Sequence, residues 1–179
     1  MAFFLSTKGQ LRPYQFNYLS GQFEKARLER TKIHSDLSDT IPRTLPLNQK
    51  EFFAVDIMNK PVFSEPIDSL LQKIREDMKI HGIRHIPLTK DQLLYGMISD
   101  RDLLKFETSG TFSYLKAEDV MTTVLFVAEE DTPLAHIARV LLEEKISALP
   151  IINKDHKLVG MISRTDILKA VVYNRLVLK

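Results

Sequence analysis

Two heptads in this chain hold residue types suited to binding chemistry: Gly96-Met-Ile-Ser-Asp-Arg-Asp102 and Gly160-Met-Ile-Ser-Arg-Thr-Asp166. Each runs from apolar, strand-like residues into a polar helix start, with Ser99 or Ser163 at the expected N-cap and Asp102 or Asp166 three positions on. A helix start presents unpaired N–H groups and the positive end of a dipole, which suit a phosphate. A carboxylate there can accept two hydrogen bonds from a ribose diol, and a serine hydroxyl can bond phosphate or ribose. The glycine permits close approach of a ligand or of a neighbouring backbone. The same residues have a second reading. Ser-x-x-Asp is also a capping box, in which serine and aspartate satisfy the helix end with no ligand at all. Repetition of the whole heptad favours binding, and both readings stay open at this level.

The heptads belong to a longer internal repeat. Ala54-Val-Asp-Ile-Met58 recurs sixty-three positions later as Ala117-Glu-Asp-Val-Met121. The same spacing relates Phe63 to Phe126, Asp68 to Asp131, Leu71 to Leu134, Ile74 to Ile137, Ile83 to Ile146 and Pro87 to Pro150. It becomes sixty-four after one extra residue in a turn, pairing Asp102 with Asp166 and Lys105 with Lys169.

Each copy calls for the same elements. Met58 and Met121 close a short first turn, and Val62-Phe63 and Leu125–Val127 read as short strands. Helices are expected to start at Asp68-Ser69 and at Asp131-Thr132-Pro133, with a capping side chain and, in the second copy, proline in the first turn. Apolar residues at Leu70, Leu71, Ile74 and Met78, and at Leu134, Ile137, Leu141 and Leu142, lie on one helical face. Hairpins follow, Arg84–Leu88 with Leu93–Ile98 and Ala148–Ile152 with Lys157–Ile162, turning at Thr89–Gln92 and Asn153–His156. A second helix opens after Ser99 and after Ser163. One βαββα unit of roughly 50 residues buries too little surface to stand alone. Two can pack about a pseudo-two-fold axis, leaving two related clefts, and such interfaces favour ligand sites.

The paired units, the Met58 and Met121 starts, the Ile-x-x-x-Pro segments and the doubled Gly-h-h-Ser-x-x-Asp heptad (h, hydrophobic) resemble the tandem CBS domain, or Bateman module, over about residues 52–175. The resemblance implies an α+β fold of two βαββα repeats with pseudo-two-fold symmetry. It implies a non-catalytic regulatory module that binds AMP, ADP, ATP or S-adenosylmethionine, with adenine between the first strand and the hairpin. It places Ser99 and Asp102 in one site and Ser163 and Asp166 in the other. Arg84 stands where some nucleotide-binding members carry a phosphate-contacting arginine, whereas the second copy has Ser147 there. Arg101 lies in the first heptad and Arg164 in the second, so the two clefts are expected to be unlike. The resemblance further implies a homodimer formed through helices and a separate regulated protein as partner. The competing function is a ligand-free dimerisation scaffold in which the boxes only cap helices.

Little else suggests chemistry. The chain has no cysteine, which removes disulfides, thiolate nucleophiles and cysteine-held zinc. His34, His81, His85, His136 and His156 show no metal-ligand spacing, and Ser99 lacks both a base and the nucleophile elbow. No catalytic residue, metal or resident cofactor is expected; an adenine nucleotide would be a regulatory ligand. A net charge of +2 without basic clusters gives no argument for nucleic acid. The apolar start Ala2–Leu5 is too short for a signal-peptide core, and no run could span a bilayer, so a cytoplasmic protein is expected.

The division expected is an N-terminal extension over 1–50, a first CBS domain over 51–112 and a second over 113–179. The extension carries Phe3, Phe4, Tyr14, Phe16 and Tyr18, then a helix-forming stretch at Gln22–Ile33 that Ser20 could cap, then breakers at Asp39–Pro42 and Thr44–Pro46. A partly helical arm is expected, with its aromatics either loosely ordered or docked on the core, on a second subunit or on a partner.

Overall fold

The structure is a computed structural model describing residues 3–19, 52–107 and 110–172. It opens with a hairpin, β1 (Phe3–Thr7) and β2 (Gln10–Tyr14), and a 3₁₀ turn at Asn17–Leu19. The first repeat runs α1 (Ala54–Ile57), β3 (Glu65–Pro66), α2 (Leu71–His81), β4 (His85–Lys90), β5 (Leu93–Ser99) and α3 (Asp100–Leu104). The second runs α4 (Ala117–Val120), β6 (Val124–Glu129), α5 (Leu134–Glu143), β7 (Ala148–Ile152), β8 (Leu158–Ser163) and α6 (Arg164–Val172). The architecture is α+β. The helical stretch at 22–33, its cap Ser20, the breakers at 39–46 and His34 lie outside the described residues.

Periodicity explains the long elements. In α2 the residues at helical spacing, Leu71, Ile74 and Met78, are buried, and in α5 they are Leu134, Ile137, Val140 and Leu141. Helix α2 ends at Gly82, whose φ of 62° is left-handed and whose N–H bonds to the carbonyl of Met78. The hairpin β4–β5 turns at Asp91 and Gln92, both with positive φ, in place of the broader turn that sequence suggests.

Two sheets form. One has the order β2-β1-β6-β7-β8 and the other β3-β4-β5. A core of Leu71, Ile74, Ile86, Leu88 and Ile98 fills the first repeat. Another, with Ile137, Leu141, Leu149, Ile151 and Ile162, fills the second. A third joins the sheets through Phe4, Leu94, Leu125, Val127 and Ile152.

The short opening helix of each repeat packs in the other repeat. Ala54 and Met58 lie in the core of the second copy, whereas Ala117 lies in that of the first. Backbone hydrogen bonds fix the exchange. Ala54 and Val55 donate to the carbonyls of Thr132 and Glu130, at 2.9 and 3.0 Å, and Ala117 and Glu118 donate to Ser69 and Ile67, both at 2.8 Å. This exchange corrects the expected caps. The N-caps of α2 and α5 are Leu70 and Pro133, neither with a side-chain bond. The first helical N–H groups are instead satisfied by backbone from the exchanged segments, Leu71 donating to Leu115 at 2.9 Å and Leu134 to Phe52 at 2.8 Å. Ser69 Oγ donates to Glu65 instead, and Thr132 Oγ1 is buried without a partner among the described residues.

The described part of the arm is a β-hairpin followed by a 3₁₀ turn, and its aromatics dock on the core. Strand β1 pairs antiparallel with β6, Phe3 opposite Ala128 through Thr7 opposite Val124. Phe3 and Phe16 enter the core of the second repeat, with ring centroids 5.2 Å apart and edge to face. On the other face of β1, Phe4 joins the layer between the sheets and Ser6 Oγ donates to the carbonyl of Leu94 at 3.4 Å. The hairpin thus touches both repeats. It also explains a difference between them. Strand β6 spans Val124–Glu129, but its counterpart is a strand only at Glu65–Pro66, so Val62-Phe63 is not a strand.

Candidate ligand clefts

The exchanged segments bring the heptads to a seam between the repeats. Residues 58–59 lie along β8, where Asn59 pairs with Met161, and residues 121–122 lie along β5, where Thr122 pairs with Met97. The heptad glycines permit this. A Cβ on Gly160 would lie 2.5 Å from Met58 Sδ, and one on Gly96 would lie 2.6 Å from Met121 Sδ and 2.9 Å from the carbonyl oxygen of Thr122. The close neighbour of each glycine is therefore the opening methionine of the other repeat. The sequence carries a signal of this, since Met and Gly recur together, but nothing in it says that they interlock crosswise.

Both capping boxes are formed. The Ser99 N–H donates to Asp102 Oδ2 at 3.1 Å, Ser99 Oγ donates to the same oxygen at 2.6 Å, and the Asp102 N–H returns to Ser99 Oγ at 3.3 Å. In the second copy the corresponding distances are 2.8, 2.5 and 3.3 Å. Serines and aspartates are half-buried. Burial would raise the Asp102 pKa, but hydrogen bonds from Ser99 and Lys105 outweigh it and hold the carboxyl below its ordinary range.

The other four candidate side chains fall differently. Arg84 precedes β4, is exposed, and its carbonyl accepts the N–H of Asp100 at 2.9 Å, beside the first heptad. Arg101 is exposed on α3. Arg164 is turned away, its Nε donating to the carbonyl of Ile146 and its Nη2 to that of Leu141, both at 2.8 Å. The structure therefore groups Ser99, Asp102, Arg84 and Arg101 at one end of the seam and Ser163 with Asp166 at the other.

Between the repeats, His85 Nε2 and Ser147 Oγ are hydrogen-bonded at 2.8 Å. Burial lowers the His85 pKa, against the raising fields of Asp100 and Asp102 and with the lowering fields of Arg101 and Arg84. Sequence reasoning passed over this contact because it sought metal-ligand spacing, and a lone histidine opposite a serine has none. Among the described residues no group of three or more histidines and acids is placed to hold a metal. Also among them, no helix is long and apolar enough to cross a membrane.

The family model of the CBS domain matches residues 54–109 and again 117–173. The chain belongs to the CBS-domain family. Solved CBS-domain pairs share its fold. The pair of protein MJ0100, in complex with methylthioadenosine and S-adenosylmethionine, aligns with a TM-score of 0.64 at 23% identity, covering 70% of this chain and 99% of that one. CBSX2 in complex with AMP aligns at 0.61 and 26%, covering 70% and 99%. Among curated relatives, the L-aspartate semialdehyde sulfurtransferase of Methanocaldococcus jannaschii is 25% identical over 132 residues, 72% of this chain and 25% of the relative. This chain spans between 13% and 28% of that enzyme and of three other enzymes it matches.

Proposed function

We propose that this CBS pair is a non-catalytic sensor that binds an adenosine-containing ligand, AMP, ADP, ATP or S-adenosylmethionine, in the clefts along its seam. The observation carrying this reading is the placement of both Ser-x-x-Asp heptads at the seam, each against the opening segment of the other repeat. A ligand held there touches both repeats and can shift how they pack, which is how binding becomes a signal. The ligands of MJ0100 and CBSX2 support the choice of an adenosine. Ser99, Asp102, Arg84 and Arg101 would serve one cleft, and Ser163 with Asp166 the other. A homodimer in the cytoplasm that regulates a separate protein completes the reading.

The test is thermal denaturation of the full chain with each of the four ligands. A ligand at one hundred times its Kd should stabilise the fold by roughly 2.7 kcal/mol. No shift with any of the four at millimolar concentration would remove the nucleotide reading. The completed boxes favour a second reading, a ligand-free scaffold, because serine and aspartate already satisfy each other. On that reading Asp102→Ala and Asp166→Ala each lower stability and no ligand changes it.

A further inference from the structure

The N-terminal hairpin belongs to one repeat by its backbone and reaches the other by its side chains and its tip. All five residues of β1 pair with β6, and Phe3 and Phe16 sit in the core of the second repeat. The hairpin also meets three consecutive residues of β5 in the first repeat, Leu93, Leu94 and Tyr95. Phe4 packs with Leu94 in the layer between the sheets, and the wholly buried Ser6 donates its hydroxyl to the Leu94 carbonyl. The turn residues Lys8 and Gly9 have φ of 47° and 83°, the left-handed pair that closes a two-residue hairpin. This turn sets Gly9 down on the Tyr95 ring, where a Cβ would lie 2.9 Å from Cε2 and 3.6 Å from Leu93 Cβ. Lys90 Nζ stands 5.7 Å from the centre of that ring and steadies it.

The two attachments are unequal. On the second repeat a backbone ladder and two core aromatics must be broken together. On the first, among the described residues, no backbone ladder joins β1 to the sheet β3-β4-β5. What holds there is one hydrogen bond at 3.4 Å, a shared apolar layer and a glycine against a ring. So few contacts open at much lower cost than a paired core strand. The first repeat has no matching hairpin, since among the described residues β3 pairs with β4 alone.

We infer that the hairpin is a strap: hinged on the second repeat, it latches with its tip on Leu93–Tyr95 and holds the two repeats at one mutual setting. Release of the tip lets the sheets turn against each other while both repeats stay folded. Gly96 of the first heptad follows Tyr95 directly, so a movement of that part of β5 is a movement against the strap. The strap acts with the clefts empty, and it stands or falls apart from the nucleotide reading.

Distances between two nitroxide labels on the full chain test the strap. The chain has no cysteine, so Lys79→Cys on α2 and Lys154→Cys in the β7–β8 turn, both exposed, are the only labelled positions. An excess of unlabelled chain keeps each measured distance within one molecule. The labelled parent should give one narrow distance. Ser6→Ala/Tyr95→Ala removes the bond and the ring, and Gly9→Val blocks the tip from the hairpin's side. Both leave Phe3 and Phe16 in place. In each the distribution should broaden about twofold or split in two, as a two-state opening gives, while the circular dichroism stays that of the parent. Lys8→Ala, an exposed position of the same turn, should leave it narrow. A distribution as narrow as the parent's in either variant, once that variant is shown to be folded, would overturn the strap, and so would equal broadening in Lys8→Ala.

Discussion

The two repeats share a pattern of residues but not a structural setting. The second is built into a five-stranded sheet, because the N-terminal hairpin pairs along Val124–Ala128 of β6. The first has three strands, and its opening strand is two residues long. The charged side chains diverge too, with Arg164 tied to carbonyls in the second repeat and Arg84 and Arg101 exposed in the first. Duplication therefore supplied two similar heptads along one seam, and the added hairpin, together with residues that differ inside the repeat, made their surroundings unequal.

The largest effect should come from removing the hairpin's anchor. Phe16 is 3% exposed and meets the rings of Phe3, Tyr14, Tyr18 and Phe126. Phe16→Ala should cost about 3–5 kcal/mol in urea denaturation. Phe63, the first-copy counterpart of Phe126, is only half-buried, and Phe63→Ala should cost clearly less. Equal losses would mean that the hairpin contributes nothing special to the second repeat.

The Met–Gly interlocks give the next contrast. Gly160→Ala strikes only the side chain of Met58, whereas Gly96→Ala also strikes the backbone of Thr122. Overpacking of this kind costs about 1–3 kcal/mol, and Gly96→Ala should lie at the upper end. Adding Met58→Ala should relieve Gly160→Ala, so the two losses should not sum in a double-mutant cycle.

Smaller still is the arginine contrast. Arg164→Ala removes two hydrogen bonds to carbonyls and should destabilise by about 1–2 kcal/mol. Arg84→Ala, which removes none among the described residues, should stay within about 0.5 kcal/mol in the same denaturation assay. The opposite ranking would show that the two carbonyl bonds contribute no net stability.

The smallest effect concerns pH. His85 has a folded pKa below its ordinary 6.5 because burial disfavours the cation. The unfolded chain then binds more protons between the folded value and 6.5, so stability should rise with pH across that window and be lost on acidification. His85→Asn should flatten this dependence, as read from urea midpoints at successive pH values. The second repeat has Ala148 at the matching position and contributes nothing comparable.

Much of this was legible because it is local. The helical faces of α2 and α5, the two hairpins and the Ser-x-x-Asp boxes depend on residues within a few positions of each other, and period and side-chain type announce them. The caps misled for a local reason as well. Asp68-Ser69 and Thr132 look like N-caps, but backbone from a segment far along the chain takes that role. The arm's aromatics showed that Phe3 and Phe16 had something to bury without saying where.

By itself, then, the sequence determined the duplication, the order of elements within each copy and the two capping boxes, since spacing along one chain suffices for those. Only the tertiary structure decided that α1 and α4 exchange places, that Met58 fits over Gly160 and Met121 over Gly96, that the hairpin extends one sheet, and that Arg164 faces carbonyls. Each of those joins residues by how surfaces pack, and three of the four span dozens of positions. A repeat pattern carries no record of which copy's surface meets which.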